Sequence, residues 1–114
     1  MRLKTALLVL AGLTTLPCAS ALAQSWSCSY HGYVTHVSLD RASHLLTVAD
    51  QFGRTDQGYA IFGSLYGAPY TEYYLPYDSE EYAYYLRLWN NGAVTFSYCW
   101  DCAPYTCSRL GDLR

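Results

Sequence analysis

Three cysteines, Cys99, Cys102 and Cys107, fall within the stretch YCWDCAPYTC, residues 98–107. Thiols this close can serve as a redox couple, as metal ligands or as structural staples. Cys99 and Cys102 have the Cys-Xaa-Xaa-Cys spacing of thiol oxidoreductases, in which a depressed thiolate pKa makes the first sulfur a nucleophile. That reactivity comes from a helix N-terminus in a βαβ setting. Here the motif follows a strand-like hairpin, Pro104 stands two residues beyond it, and Asp101 opposes thiolate formation. A four-thiol zinc site with Cys28 would lack the second close pair that such sites use. The residue pattern therefore points to structural disulfides through Cys28, Cys99, Cys102 and Cys107. A full pairing must join Cys28 to the cluster and close one bridge inside it, and all three connectivities satisfy that rule.

The remaining candidates for chemistry are sparse. His31 and His36 are an odd number of residues apart in a strand-like segment, so they project to opposite faces and do not form a ligand pair. Glu72, Asp78, Glu80 and Glu81 offer carboxylates for acid–base work on glycosides, but in a turn-rich setting they read as solvated. Arg54, Arg87 and Arg109 can hold carboxylates without pointing to a substrate. No nucleophile elbow, phosphate loop or calcium loop is present. We expect no cofactor, no metal and no catalytic residue.

The start of the chain sets the compartment in which the thiols are read. Arg2 and Lys4 precede an apolar run from Ala6 to Leu16, and small residues follow to Ala21-Leu22-Ala23. This is the plan of a cleavable export signal over residues 1–23, leaving residues 24–114 as one small domain. The apolar run is short for a bilayer and no second one follows, so no stable membrane insertion is expected after cleavage. Thr15 and Pro17 before Cys18 disfavour lipidation of that thiol, and cleavage would leave an even number of cysteines, as in disulfide-stapled exported domains. The expected location is periplasmic or secreted.

Removing Arg2 and Lys4 leaves five arginines against nine acidic residues, a formal charge of −4. Such a chain has no basic footprint for nucleic acid. Its unusual feature is thirteen tyrosines, crowded in segments such as YTEYYLPYDSEEYAYY. Tyrosine offers rigid contact area at low entropic cost and is over-used in recognition surfaces. Tyr66, Tyr70, Tyr73, Tyr74, Tyr77, Tyr82, Tyr85, Trp89 and Trp100 are thus the candidate binding residues.

The elements that must position them read as short alternating strands. YVTHVSL (33–39) and HLLTVA (44–49) form a hairpin, QFGRTDQG (51–58) reads as a loop, and YAIFGSLY (59–66) as a strand with a bulge at Gly63. Residues 67–81, with Pro69, Pro76 and an acidic run, read as an irregular surface loop containing a short extended piece. In the final hairpin, Asn90-Asn91-Gly92 as a three-residue loop sets Leu88 opposite Val94, Leu86 opposite Phe96, Tyr84 opposite Tyr98 and Tyr82 opposite Trp100. Its other face pairs Arg87 with Thr95 and Tyr85 with Ser97 and reads as half solvated. A helix over 79–89, capped by Asp78 or Ser79, competes but fits the alternation less well. The expected fold is all-β and mainly antiparallel, a small disulfide-stapled barrel or sandwich of five to seven short strands.

In part the chain resembles exported bacterial inhibitors of c-type lysozyme. Tyr66-Gly67-Ala68-Pro69-Tyr70 resembles that family's Ser-Gly segment ending in Tyr, and Trp89-Asn90-Asn91-Gly92 its Trp-Xaa-Lys-Gly. The resemblance implies a small β-barrel closed by a disulfide between early and late positions, where Cys28 and Cys107 lie. Tyr66 replaces the family's serine and Asn91 its lysine, and the two segments are further apart here.

These readings converge on an exported, non-enzymatic binding module, taking a protein or a cell-wall glycan through residues 66–85 with Trp89 or Trp100. A lysozyme-inhibitor-like envelope protein, a structural envelope protein without a discrete site, and a small thiol enzyme or hydrolase are the alternatives. A contiguous aromatic patch favours binding, dispersed tyrosines favour the structural role, and a Cys99–Cys102 bridge at a helix start favours an enzyme.

Overall fold

The computed structural model describes residues 23–79 and 82–110. The expected signal segment up to Leu22, with Cys18, lies outside the described residues, as do Glu80 and Glu81 and the side chains of Asp78 and Ser79. Nine strands follow one another: β1 (Ala23–Tyr30), β2 (Tyr33–Asp40), β3 (Leu45–Asp50), β4 (Thr55–Tyr59), β5 (Ile61–Gly63), β6 (Tyr70–Ser79), β7 (Tyr82–Trp89), β8 (Val94–Ser97) and β9 (Tyr105–Leu110). They form one antiparallel sheet in the order β4-β3-β2-β1-β9-β8-β7-β6-β5. The sheet curls into a nearly closed barrel.

Alternation decides which residues fill it. Trp26, Val37, Leu39, Leu46, Val48, Leu86 and Phe96 sit at alternate positions on their strands and make the core with Ala60 and Tyr73. Complete burial of a side chain such as Leu39, Leu46, Leu86 or Phe96 is worth about 1.5–3 kcal/mol. Cys28 faces Cys107 across β1 and β9, and the two form a disulfide spanning 79 residues. It ties the first strand of the barrel to the last.

Both hairpins expected from the sequence form, and the final one holds the expected register from Leu88–Val94 to Tyr85–Ser97. Val37 faces Val48 and Leu39 faces Leu46, while Leu86 faces Phe96 and Leu88 faces Val94. Gly92 adopts φ 93°, and Trp89 donates its amide to Ala93 O at 2.9 Å, closing the three-residue loop. Residues 82–89 are strand, not helix.

Several expectations are corrected. The segment 51–58 is only partly loop, because β4 begins at Thr55. The strand expected over 59–66 breaks at Ala60 and ends at Gly63, which terminates β5 and carries no bulge. The region read as a surface loop holds the ten-residue β6, and the irregularity near Pro76 is a register shift between Pro76 and Ser79. Proline is tolerated where pairing is already interrupted. Nine strands replace the expected five to seven.

The largest correction concerns the end of β8. That strand stops at Ser97, so Trp100 does not face Tyr82. Instead the Cys99–Cys102 disulfide closes a tight turn, and Trp100 folds onto the outer face with its ring edge-on to Tyr85 at 5.7 Å. Tyr85 is consequently only 8% exposed and Ser97 is buried, although both point away from the core.

Candidate functional site

The tyrosines separate into two groups with different surroundings. On the outer face of β6 and β7, Glu72 stands opposite Arg87, Tyr74 opposite Tyr85 and Tyr70 opposite Trp89. Arg87 Nε donates to Glu72 Oε1 at 2.8 Å, and its guanidinium carbon lies 4.7 Å from the Tyr70 ring centroid and 5.5 Å from that of Trp100. Both charges are largely covered. This cluster satisfies itself.

The second group runs around one end of the barrel. Rings pack in sequence from Tyr30 to Tyr105 (5.5 Å), Tyr98 (5.4 Å), Tyr84 (5.9 Å), Tyr77 (4.5 Å) and Tyr82 (6.4 Å), an unbroken ribbon of six tyrosines. The strand ends explain the convergence: β1, β6, β7, β8 and β9 each deliver a tyrosine where they reach that rim. The His31-Gly32 turn, with φ 48° and 86°, fits the two-residue hairpin that brings Tyr30 opposite Tyr33 there.

Inside this rim lies a cleft of about 350 Å³, lined by Val48, Asp50, Arg54, Thr55, Asp56, Tyr77, Tyr84 and Tyr98. A neighbouring depression of about 180 Å³ shares Asp50, Arg54 and Tyr98 and adds Tyr33, Thr35, Phe52 and Tyr105. Hydrogen bonds hold the walls in place. Tyr84 donates its hydroxyl to Asp56 Oδ2 at 2.9 Å, Tyr77 donates to Tyr98 O at 2.9 Å, and the Tyr98 and Thr35 hydroxyls bond to one another. Asp50 accepts from the amides of Phe52 and Arg54, each at 2.9 Å, and pairs with Arg54 Nε.

These surroundings move the titrations. The Arg54 amide leads in holding the Asp50 carboxyl below its ordinary value. Burial pushes Tyr84 well above the ordinary tyrosine range, and the bond to Asp56 adds to the rise. Burial also raises Tyr98 and Tyr105, against a lowering contribution at Tyr98 from Thr35. Tyr84, Tyr98 and Tyr105 are therefore neutral phenols in neutral solution.

Comparison with protein-family models, curated proteins and solved structures finds no match to this chain. The site must be read from its own geometry.

Of the residues singled out in the sequence, Tyr77 and Tyr82 belong to the rim, whereas Tyr70, Tyr74, Tyr85, Trp89 and Trp100 belong to the outer-face cluster. Tyr73 is a core residue and Tyr66 is fully exposed in the loop after β5. Proximity in sequence thus grouped residues that the strands separate. The mouth residues missed were Tyr30, Tyr33, Asp50, Asp56, Tyr84, Tyr98 and Tyr105, while Arg54, noted as able to hold a carboxylate, was not tied to a site. The inward phase of β7, β8 and β9, carried by Tyr84, Phe96 and Tyr105, was the available signal.

The cysteine cluster is settled by pairing. Cys99, Asp101 and Cys102 bring their ligand atoms within 4.8 Å of one another, but both sulfurs are consumed in the disulfide. The bridge lies in a turn in which Cys102 N donates to Cys99 O, and the described residues contain no helix to activate a thiolate. Glu72 is committed to Arg87, and Glu80 and Glu81 lie outside the described residues. No helix among the described residues is long and apolar enough to cross a membrane.

Proposed function

We propose that the protein is an exported, non-enzymatic binding module whose ligand site is the tyrosine-lined mouth of the barrel. The observation that supports this most is the convergence of Tyr77, Tyr84 and Tyr98 with Asp50, Arg54 and Asp56 around one open cleft. The walls are tied by hydrogen bonds before any ligand arrives, so little side-chain entropy remains to be lost on binding. Ring faces and a few fixed polar groups are the usual composition of a ligand pocket. Both carboxylates accept protein hydrogen bonds, which suits orientation of a ligand better than proton transfer. Two disulfides are compatible with an oxidising compartment.

The test is an NMR titration of residues 24–114 with soluble cell-wall muropeptides, and separately with a c-type lysozyme. Amide shifts concentrated at Tyr33, Asp50–Asp56, Tyr77 and Tyr98 are expected. Shifts confined to the other end of the barrel, or none with either probe, would overturn this reading.

One observation favours the lysozyme-inhibitor alternative. The two segments carrying that resemblance meet at the opposite end, where Asn90 N donates to Pro69 O at 2.9 Å and the Tyr70 and Trp89 rings pack at 4.8 Å. That alternative requires inhibition of a c-type lysozyme by the wild type and its loss in Tyr66→Ala. No inhibition at equimolar concentration removes it.

A further inference from the structure

We propose that the barrel mouth is a receptor for one organic cation, a guanidinium or ammonium group presented by the ligand. The inference rests on the mouth being the ligand site. Its main support is a geometry that the chain already uses on its outer face. There Arg87 lies against the Tyr70 and Trp100 rings while Glu72 takes its Nε hydrogen at 2.8 Å. The mouth repeats that inventory, with its own cation, Arg54, drawn to Asp50 at 3.4 Å and 89% exposed. Tyr77 and Tyr84 pack at 4.5 Å, Tyr98 meets Tyr84 at 5.9 Å, and Asp56 stands beside them, bonded to Tyr84.

The charge balance points the same way. Two carboxylates, Asp50 and Asp56, line the cleft against one guanidinium, Arg54. The Arg54 side chain is 89% exposed and reaches Asp50 from the solvent side. An anionic ligand would meet a net negative cleft, whereas a cation gains the Asp56 carboxylate and the neighbouring rings, Asp50 being already paired with Arg54. At Tyr84 the Asp56 carboxylate adds to a rise that burial leads, a mark of negative potential beside that ring.

The same cation can come from a basic protein side chain or from an amino sugar, and paired probes separate the two. N-acetylargininamide is compared with N-acetylcitrullinamide, which keeps the shape and loses the charge, and glucosamine with N-acetylglucosamine. Binding is read from mouth amide shifts. The argininamide is expected to bind at least about fivefold more tightly than the citrullinamide, with the advantage lost in Asp56→Asn. That exposed substitution keeps an oxygen acceptor for Tyr84, and an unchanged spectrum elsewhere verifies the fold. A matching preference for glucosamine supports the inference with an amino sugar as a competent source. A preference seen only with argininamide supports it with a basic side chain as the source. Equal binding of both members of each pair at the mouth overturns the cation inference and leaves the mouth as a binding site. Shifts centred on Arg87, or none with any probe, also overturn it, and the muropeptide and lysozyme titrations then decide separately whether the mouth binds at all.

Discussion

The Tyr84 hydroxyl donates to Asp56 Oδ2 at 2.9 Å, joining β7 to β4, two strands that are not neighbours in the sheet. The bond ties two residues of the cleft lining together. Tyr84→Phe keeps the ring and deletes only the donor. The expected loss is about 1 kcal/mol, because Asp56 is exposed and water can take the donor's place. In a domain of this size that is a fall of about 4–8 °C in Tm, read by thermal unfolding. An unchanged Tm would mean that the bond contributes nothing.

Alkaline pH supplies a second expectation. Tyr84, Tyr98 and Tyr105 have folded-state pKa values raised from the ordinary 10.0. The unfolded chain therefore releases these protons first as pH rises, and the folded state holds more of them. Their contribution is fully present below about pH 10 and is lost as pH rises above it. Ultraviolet titration should show part of the tyrosine absorbance change arriving late and together with unfolding seen by circular dichroism. All thirteen tyrosines titrating near 10 while the fold persists would contradict it.

The two disulfides differ in reach and should differ in effect. Paired alanine substitution of Cys28 and Cys107 opens a 79-residue separation and should cost about 4–5 kcal/mol in the chain-entropy account. Paired substitution of Cys99 and Cys102 should cost about 2 kcal/mol on the same account. The second variant should also release Trp100 from Tyr85 and shift its fluorescence to the red. Equal destabilisation by the two pairs would show that local packing, rather than loop closure, governs both.

Gly92 at φ 93° is a fourth point of sensitivity. Gly92→Ala should destabilise by about 1 kcal/mol or more, and Gly92→Asn by less, since asparagine tolerates the left-handed region. Chemical denaturation separates the two. Equal stability of wild type and Gly92→Ala would require the loop to have changed type.

Much of the fold was legible in the sequence where two local signals agreed. Leu86, Leu88, Val94 and Phe96 alternate on either side of Asn90-Asn91-Gly92, so phase and loop length select one register. In β4 the signals conflicted. Thr55, Asp56, Gln57 and Gly58 show no apolar alternation, because the inward positions hold the Asp56 carboxylate and a glycine. A Cβ on Gly58 would come within 2.8 Å of Leu75 Cδ1, so β6 supplies the side chain that β4 omits. In β6, Pro76 and Asp78 resembled a loop, since the register shift between Pro76 and Ser79 is a tertiary feature. The mouth was least legible of all. Asp50, Asp56, Tyr77 and Tyr98 come from different strands and meet only once the sheet has curled.

The break at Ala60 divides what could have been one long strand into β4 and β5, and these are the two ends of the sheet. Among the described residues the sheet thereby ends in strands of five and three residues, short templates for another chain. The longer one carries Asp56 and Gly58, residues poorly suited to extending a ladder. The folded barrel is expected to resist strand-to-strand polymerisation, with its amyloid hazard concentrated in the interval before Cys28 finds Cys107.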